Sequence, residues 1–355
     1  MKKEIQTAPP YWETRFPAEW ERQSGVQLTW PHAGTDWSHM LEEVEACFVN
    51  IAREIARRER LLIVTPHPES VEKRIAGEVD LRRVSFLKCP TNDTWARDHG
   101  AITLLSGEHA LLLDFKFNGW GLKFPSDKDN LVSRRCVEAA GLQGAYLNRQ
   151  GFVLEGGSIE SDGQGTLLTT SECLLSPNRN GQMSRQEIED YLCRELHARR
   201  ILWLDHGYLA GDDTDSHIDT LARFCPADTL AYVACSDPTD EHHEALQRMK
   251  AQLETFVTLQ GKPYRLLPLP LPAPIREEGE RLPATYANFL IINGAVLFPT
   301  YRQPHNDEQA RRQLQLAFPD REVVGFDCTP LIKQHGSLHC VTMQYPTGVI
   351  PGPQP

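Results

Sequence analysis

The chain has 355 residues, of which 40% are hydrophobic and 24% charged, a composition that supplies enough apolar material for a globular core. Its formal net charge of −11 argues against a nucleic-acid-binding protein, which usually carries a basic face, and is compatible with a cationic ligand. The sequence has no run of about 20 apolar residues that could span a membrane, and no apolar stretch follows Lys2 and Lys3 as in a secretion signal.

Helical spacing of apolar residues predicts five helices, most of which begin with a Ser, Asp or Asn that suits an N-cap. In chain order these helices cover residues 38–56, 127–141, 184–198, 241–256 and 306–318. Each helix is followed by a short apolar run that predicts a strand, at residues 61–66, 144–149, 201–205, 264–270 and 322–326.

Four hairpins are predicted where apolar runs flank a tight polar turn. They cover residues 101–115, 157–170, 220–233 and 288–301, with turns near Gly107, Gly163, Ala227 and Gly294. Successive turns are 56, 64 and 67 residues apart (163−107, 227−163, 294−227), which is a loose internal period.

A unit of helix, strand and hairpin therefore repeats about five times, and periods of this size indicate propellers or solenoids. Five units that close in a ring need no capping repeats. We see no linker, because the proline-rich stretch 266–284 is better interpreted as a long surface loop than as a domain boundary. The prediction is one α/β catalytic domain over residues 1–355, with its core at about 16–346.

Nine cysteines are scattered along the chain without a CxxC pair. This pattern argues against a disulfide framework or a cysteine zinc site, and predicts a cytoplasmic protein without a structural metal. Most of these thiols are expected to be small buried hydrophobic groups, namely Cys47, Cys136, Cys193, Cys235 and Cys328.

Five polar residues recur along the sequence with about the same spacing as the hairpins. Asp98 lies just before the first hairpin, Glu155 before the second, His217 and Asp219 before the third, and Cys340 in the last strand-like run. The gaps are 57 (155−98), 62 (217−155) and 123 (340−217), and the last is about twice the others. In a closed ring such positions meet near the axis, so we expect these five side chains to converge.

Cysteine beside histidine is a pairing typical of a nucleophile and its acid/base. Three carboxylates would oppose ionisation of the thiol, so the arrangement makes sense if the substrate brings positive charge. A guanidinium is planar and permanently cationic, and carboxylates accept its N–H groups in bidentate pairs. The cluster therefore predicts a guanidinium trap.

Each residue also has a plainer interpretation. Arg97 and Asp98 could form a structural ion pair, and Glu155 could be a bulge residue before two glycines. His339 would point to the opposite strand face from Cys340 and have a structural role. The shared spacing is what favours the functional interpretation.

Five segments, TWARDHG, FNGWG, LEGGSIE, DTDSHIDTLARF and GSLHCVTMQYP, occur in this order and resemble the motifs of the agmatine deiminase family, also called the bacterial-type peptidyl-arginine deiminase family. The resemblance runs from about Phe16 to Pro346. It implies a five-bladed, pseudo-symmetric α/β-propeller of the guanidino-group-modifying superfamily. It also implies Cys340 as nucleophile, His217 as general acid/base, Asp98 and Asp219 as guanidinium ligands, and Glu155 as the residue that orients His217.

The resemblance further implies an enzyme without metal or organic cofactor that converts agmatine and water into N-carbamoylputrescine and ammonia. We expect Asp213 to accept the distal ammonium and Trp95 and Trp120 to line the substrate site. Arginine or peptidyl-arginine is the alternative substrate. Two other classes stay open: a metal-dependent hydrolase using His217, Asp219 and Asp98, and a non-enzymatic propeller scaffold. The expected partner is a small cationic guanidino compound, neither nucleic acid nor membrane, and the sequence leaves open whether the chain forms a homodimer.

Overall fold

The computed structural model describes residues 14–352. The N-terminal segment judged not to be a secretion signal lies largely outside these residues, as do both ends of the predicted domain. The α-helices are α1 Leu41–Arg58, α2 Pro68–Ile75, α3 Ala96–His99, α4 Gly119–Leu122, α5 Val132–Glu138, α6 Ser171–Leu174, α7 Pro177–Asn180, α8 Arg185–Glu195, α9 His243–Leu253, α10 Pro304–Ala317 and α11 Thr329–Ile332. None of the helices within residues 14–352 combines the length and apolar character that a bilayer-spanning segment needs.

The strands, again in chain order, are β1 Thr14–Arg15, β2 Gln23–Thr29, β3 Arg60–Thr65, β4 Val84–Lys88, β5 Ile102–Ser106, β6 His109–Lys116, β7 Ala145–Val153, β8 Ile159–Ser161, β9 Thr166–Thr170, β10 Arg200–Leu204, β11 Ala222–Cys225, β12 Thr229–Ala234, β13 Arg265–Pro270, β14 Arg276–Glu277, β15 Glu280–Arg281, β16 Leu290–Ile292, β17 Ala295–Thr300, β18 Glu322–Asp327 and β19 Thr342–Pro346. They form five sheets of three or four strands and one two-stranded ribbon, β14–β15.

Four sheets share one connectivity. An antiparallel hairpin is followed by a helix, and the next strand returns parallel to the second hairpin strand, as in β11–β12–α9–β13. The same order is found for β5–β6–α5–β7, β8–β9–α8–β10 and β16–β17–α10–β18. All four predicted hairpins and all five predicted helices are confirmed, because turn chemistry and apolar periodicity are local signals.

The fifth sheet joins an early and a late strand of the described residues. Strand β19 pairs antiparallel with β2, and β3 then pairs parallel with β2 after α1. The pair β19–β2 thus takes the place of a hairpin, although about 310 residues separate its strands. This pairing brings an early and a late segment of the described chain into one sheet.

The helices cover the sheets with their apolar faces. In α1, Val44, Phe48, Ile51 and Ile55 recur at helical spacing and are fully buried. Helix α8 begins with a capping box, in which Ser184 and Glu187 each bond the other's backbone N–H. The strand predicted at 264–270 is found as β13, so the interpretation of the whole stretch 266–284 as a surface loop is wrong for residues 266–270; the prolines of β13 are tolerated because it is an edge strand.

Candidate active site

The five predicted site residues occupy equivalent places in four different sheets. Each lies in the segment that leads into a strand: Asp98 before β5, Glu155 before β8, His217 and Asp219 before β11, and Cys340 before β19. All five are buried, with exposed fractions of 5% or less. A buried group of ionisable side chains from distant segments is costly unless the groups serve one another or a ligand.

Gly157 shows how closely three of these side chains approach. Its N–H donates to Asp98 Oδ1 at 3.0 Å. A Cβ atom at this position would lie 2.6 Å from His217 Nδ1, 2.8 Å from Asp98 Oδ1 and 3.2 Å from Asp219 Oδ2. Three functional groups from two units, Asp98 from one and His217 and Asp219 from another, therefore converge on one α carbon, which leaves no room for a side chain.

Replacing Gly157 with alanine is expected to lower kcat by about 100-fold, because displacing a catalytic group by about 1 Å has an effect of that size. The folded state should persist, as judged by circular dichroism. Gly151→Ala is the matched control, since a Cβ there would meet nothing within 4 Å. Equal kcat values for the two alanine variants would contradict the convergence.

Cys340 lies in the turn that precedes β19, where Asn288 holds it. Its N–H donates to Asn288 Oδ1 at 3.3 Å, and its Sγ lies 3.4 Å from the same oxygen. Burial raises the pKa of the Cys340 thiol well above its ordinary value, and the Asp219 and Asp98 carboxylates add to this effect. Without a cationic partner the sulfur is therefore a neutral thiol.

Asp98 is oriented through both carboxylate oxygens. Gly157 N–H donates to Oδ1, and Trp120 Nε1–H donates to Oδ2 at 2.9 Å. Trp120 reaches this position from an unusual turn in which Trp120 and Leu122 have φ values of 54° and 68°. The proposed ion pair of Arg97 with Asp98 is wrong, because no Arg97–Asp98 hydrogen bond forms within residues 14–352 and the two side chains diverge into different pockets.

His217 lies beside Asp98, with 3.6 Å between Nδ1 and Asp98 Oδ1. Burial disfavours the imidazolium, but the Asp98 carboxylate, Cys173 and Glu155 together outweigh it and raise the pKa of His217 to about 10. Glu155 has a carboxylate oxygen within 4.8 Å of a His217 ring nitrogen, yet it is hydrogen-bonded to Arg179 Nε at 3.0 Å. Any orienting effect of Glu155 on His217 is thus electrostatic rather than a direct hydrogen bond.

Asp219 is held by His339, the residue that the sequence assigned to the opposite face. His339 Nδ1 lies 2.7 Å from Asp219 Oδ2, and its Nε2 lies 2.8 Å from Glu19 Oε2. Although burial acts in the other direction, the hydrogen bond from His339 lowers the pKa of Asp219. Within residues 14–352, Asp219 Oδ1 has no hydrogen-bond donor, so it is free to accept one from a ligand.

A narrow cleft leads from the surface to Cys340 and Asp98. It encloses about 410 Å³ of space not filled by protein atoms, part of it open to solvent. Its walls carry Asp36, Asp93 and Asp213, and the aromatic rings of Trp95, Trp120 and Phe124. Gly336 allows the Trp95 ring to pack closely, because a Cβ there would lie 2.1 Å from it. Both predicted tryptophans therefore line the cleft.

The aspartates of the segment before His217 have different surroundings: one lines the cleft and the other two hold the local structure. Asp213 lines the cleft, and burial with the neighbouring Asp212 raises its pKa to about 6. Asp212 accepts from the backbone N–H groups of Thr214 and Ser216, and so shapes the loop. Asp215 pairs with Lys123 and Arg179.

Two trios of side chains within residues 14–352 place possible metal-ligand atoms within 4.8 Å of one another: Glu155, Cys173 and His217, and Glu19, Glu160 and His339. The predicted alternative trio of His217, Asp219 and Asp98 is not one of them. In each trio the carboxylates already form ion pairs with a guanidinium: Arg179 pairs with Glu155, and Arg223 pairs with Glu19 and Glu160. The donor set does not favour a metal centre.

Asn288 was missed by the sequence reasoning, although a signal was present. It lies directly before β16, which is the same place in its unit as Asp98, Glu155 and Asp219 in theirs. The gap of 123 residues between His217 and Cys340 is about twice the repeat, so one more polar residue is expected within it, and Asn288 is that residue. No sequence period points to Arg179 or His339.

Comparison with known proteins identifies the family of this chain. The family model for Porphyromonas-type peptidyl-arginine deiminase matches residues 15–346. The chain belongs to this family. A Marinomonas protein named "Putative agmatine deiminase" is 32% identical over 369 residues, covering 98% of each chain.

Solved structures of the family match over nearly the whole chain. One, described as the "Putative Arginine Deiminase from Porphyromonas gingivalis", is 54% identical with a TM-score of 0.90, covering 95% of this chain and 100% of that chain. A cysteine-to-serine variant of agmatine deiminase from C. jejuni, with substrate bound, is 38% identical with a TM-score of 0.87, covering 95% and 97%. The α/β fold of the family is therefore shared.

Proposed function

We propose that this protein hydrolyses agmatine to N-carbamoylputrescine and ammonia through a covalent intermediate on Cys340. One observation carries the proposal: the cleft that ends at Cys340 is lined by Asp36, Asp93, Asp98 and Asp213, and none of its described lining residues is Lys or Arg. Agmatine carries a positive charge at each end of an apolar chain. Acidic and aromatic walls suit both parts of such a molecule.

The first step begins when the guanidinium binds between Asp98 and Asp219. Its charge offsets the two carboxylates that keep the Cys340 thiol neutral, and the thiol proton passes to solvent in the open part of the cleft. The thiolate attacks the guanidinium carbon, which forms a C–S bond. The imidazolium of His217 gives its proton to one amino group, the C–N bond breaks, and ammonia leaves.

The second step releases the product. His217, now neutral, takes a proton from water, and the water oxygen attacks the carbon of the amidino-thioether. The C–S bond breaks, the C=O bond of the ureido group forms as the second water proton passes to solvent, and the thiolate returns. Asp98 and Asp219 keep the reacting carbon in place throughout, and such positioning can contribute roughly 7–11 kcal/mol.

Asp213 is our proposed acceptor for the distal ammonium. Replacing it with asparagine is expected to raise KM for agmatine about tenfold with little change in kcat, because a charge-assisted hydrogen bond made equally in ground and transition states is lost. KM should also rise as pH falls through about 6, where Asp213 becomes protonated, and the variant should lose this dependence. The burial-raised pKa of Asp93, about 7, places a second titration in the same cleft.

Asp190→Asn is the matched control, since it removes the same charge from α8, outside the cleft lining. Steady-state kinetics between pH 5 and pH 8 provide the measurement. An unchanged KM in Asp213→Asn would assign the distal ammonium to Asp36 or Asp93.

Arginine and peptidyl-arginine form the second candidate, favoured by the family description and by the P. gingivalis protein. The α-carboxylate of arginine would face four aspartates, with no Lys or Arg among the described cleft lining and His335 as its one basic side chain. A panel of agmatine, arginine and N-acetyl-argininamide, assayed for ammonia and ureido product, tests the choice. We expect agmatine to have the highest kcat/KM, and comparable values for arginine would overturn this assignment.

We further propose that the five sheets form the blades of a single-domain, pseudo-fivefold α/β-propeller. The shared connectivity and the closing β19–β2 pair support this arrangement. Cytoplasmic action is supported by nine unpaired cysteines. The product, N-carbamoylputrescine, places the reaction before a step that releases putrescine for polyamine synthesis. Sedimentation would decide between a monomer and the homodimer left open above.

A further inference from the structure

A second pocket lies on the other side of the catalytic segments. Cys340, Asp98 and Gly157 face the cleft and the site, whereas their chain neighbours His339, Arg97 and Gly156 line this pocket. It encloses about 650 Å³ of space not filled by protein atoms, part of it open to solvent. The N-terminal segment 16–23 forms its outer wall.

Arg97 is the unusual residue of this pocket. It is 4% exposed, and within residues 14–352 neither its Nε nor its Nη2 has a hydrogen-bond acceptor. Its Nη1 lies 3.7 Å from Met343 Sδ, which is a weak acceptor. A buried guanidinium is ordinarily paired, so this one is an exception.

The neighbouring carboxylates do not accept hydrogen bonds from Arg97 Nε or Nη2. Glu160 is bonded to Arg223 and to the N–H of Phe224. Glu19 accepts from Arg223 and from the N–H of Ile291, and it contacts His339. Arg223 offsets one of these two charges, and both carboxylates act on Arg97 through space, but their oxygens are hydrogen-bonded to these partners rather than to Arg97.

The two nitrogens of Arg97 without an acceptor, Nε and Nη2, indicate the kind of ligand that would fit. Nε–H and Nη2–H lie on one edge of the guanidinium, and this edge binds a carboxylate through two parallel hydrogen bonds. The chain shows the same arrangement at Arg82, whose Nε and Nη2 bond the two oxygens of Asp80 at 2.9 and 3.0 Å. Gly156 makes room for Arg97, because a Cβ there would lie 3.3 Å from Arg97 Cδ and 2.3 Å from its carbonyl oxygen.

We propose that this pocket is a binding site for a small carboxylate, held by the Nε and Nη2 edge of Arg97. The ligand is distinct from the substrate in charge, since the acidic cleft repels an anion. The site also touches the catalytic centre through the backbone, because the N–H of Arg97 donates to the carbonyl of Cys340 at 3.1 Å. This inference does not depend on the proposed reaction.

The test uses acetate as the probe and the full-length protein. Saturation-transfer NMR on the acetate methyl group measures binding, with sodium chloride keeping the ionic strength constant. One bidentate pair predicts weak affinity, with Kd on the order of 1 mM. Arg97→Lys keeps the charge but removes the planar edge, and should weaken binding about tenfold or more.

Thr103→Phe is the second variant, because Thr103 lines the pocket and a phenyl ring would fill it while Arg97 stays intact. It should also abolish the acetate signal, and it decides the matter if Arg97→Lys fails to fold. Absence of acetate binding to the wild-type protein would overturn the proposal and leave water as the partner of Arg97. Binding that is unchanged in the folded variants would overturn it as well.

Discussion

Replacing Cys340 with serine is expected to lower ammonia release from agmatine by about 10⁴-fold or more, the scale on which a nucleophile is lost. A serine hydroxyl in the same buried, acidic surroundings ionises far less readily than a thiol. Coupled ammonia detection measures the effect, and circular dichroism confirms folding. Cys193→Ser is the matched control, a half-buried thiol on α8, and it should keep wild-type activity.

The mechanism needs a cation to ionise Cys340, and alkylation tests this requirement. In the protein without substrate, burial and two carboxylates keep the pKa of Cys340 high, so iodoacetamide should react slowly at neutral pH and faster as pH rises. Agmatine should protect by occupying the cleft. A substantial residual turnover in Cys340→Ser would rule out this sulfur as the nucleophile.

Replacing His217 with asparagine is expected to reduce kcat by about 10²–10⁴-fold, the usual contribution of a general acid and base. The wild-type enzyme needs the protonated imidazole for the first step. Because the pKa of His217 is raised to about 10, that proton is present at neutral pH and is lost as pH rises through about 10. The pH profile of wild-type kcat/KM should fall there, because kcat/KM reports the pKa values of the free enzyme, whereas the profile of the variant should lack this step.

Cys173→Ala separates His217 chemistry from local packing, since Cys173 Sγ lies within 4.8 Å of a His217 ring nitrogen. This variant should keep an alkaline fall in activity, but at lower pH, because Cys173 contributes to the raised pKa of His217. A His217→Asn enzyme with near-wild-type kcat would leave proton transfer to another group.

The repeating architecture could be predicted from the sequence because its signals are local. Turn residues such as Gly107 and Gly294 mark hairpins within about ten residues of chain, and helix periodicity marks the intervening segments. The pairing of β19 with β2 could not be predicted in this way, because neither strand has its partner nearby in the chain. Only the prediction that the repeated units close in a ring suggests that an early strand pairs with a late one.

The candidate site residues could be named from the sequence because their positions follow the internal repeat. Cys340, His217, Asp98 and Asp219 are recognisable because equivalent positions in repeated units come together in space. The groups that orient them obey no period: Arg179 lies in the short helix α7, and His339 is turned toward Asp219 by the local backbone. Such contacts depend on three-dimensional packing, which spacing along the chain does not encode.

The central claim is a covalent intermediate on Cys340, and acid-quenched mass spectrometry tests it most directly. The protein is mixed with excess agmatine, quenched in acid within milliseconds to seconds, digested and analysed by peptide mass. We predict an adduct on the Cys340 peptide with the mass of agmatine less ammonia, which disappears as agmatine is consumed. An adduct on a different residue, or continued turnover by protein whose Cys340 is fully alkylated, would contradict the account.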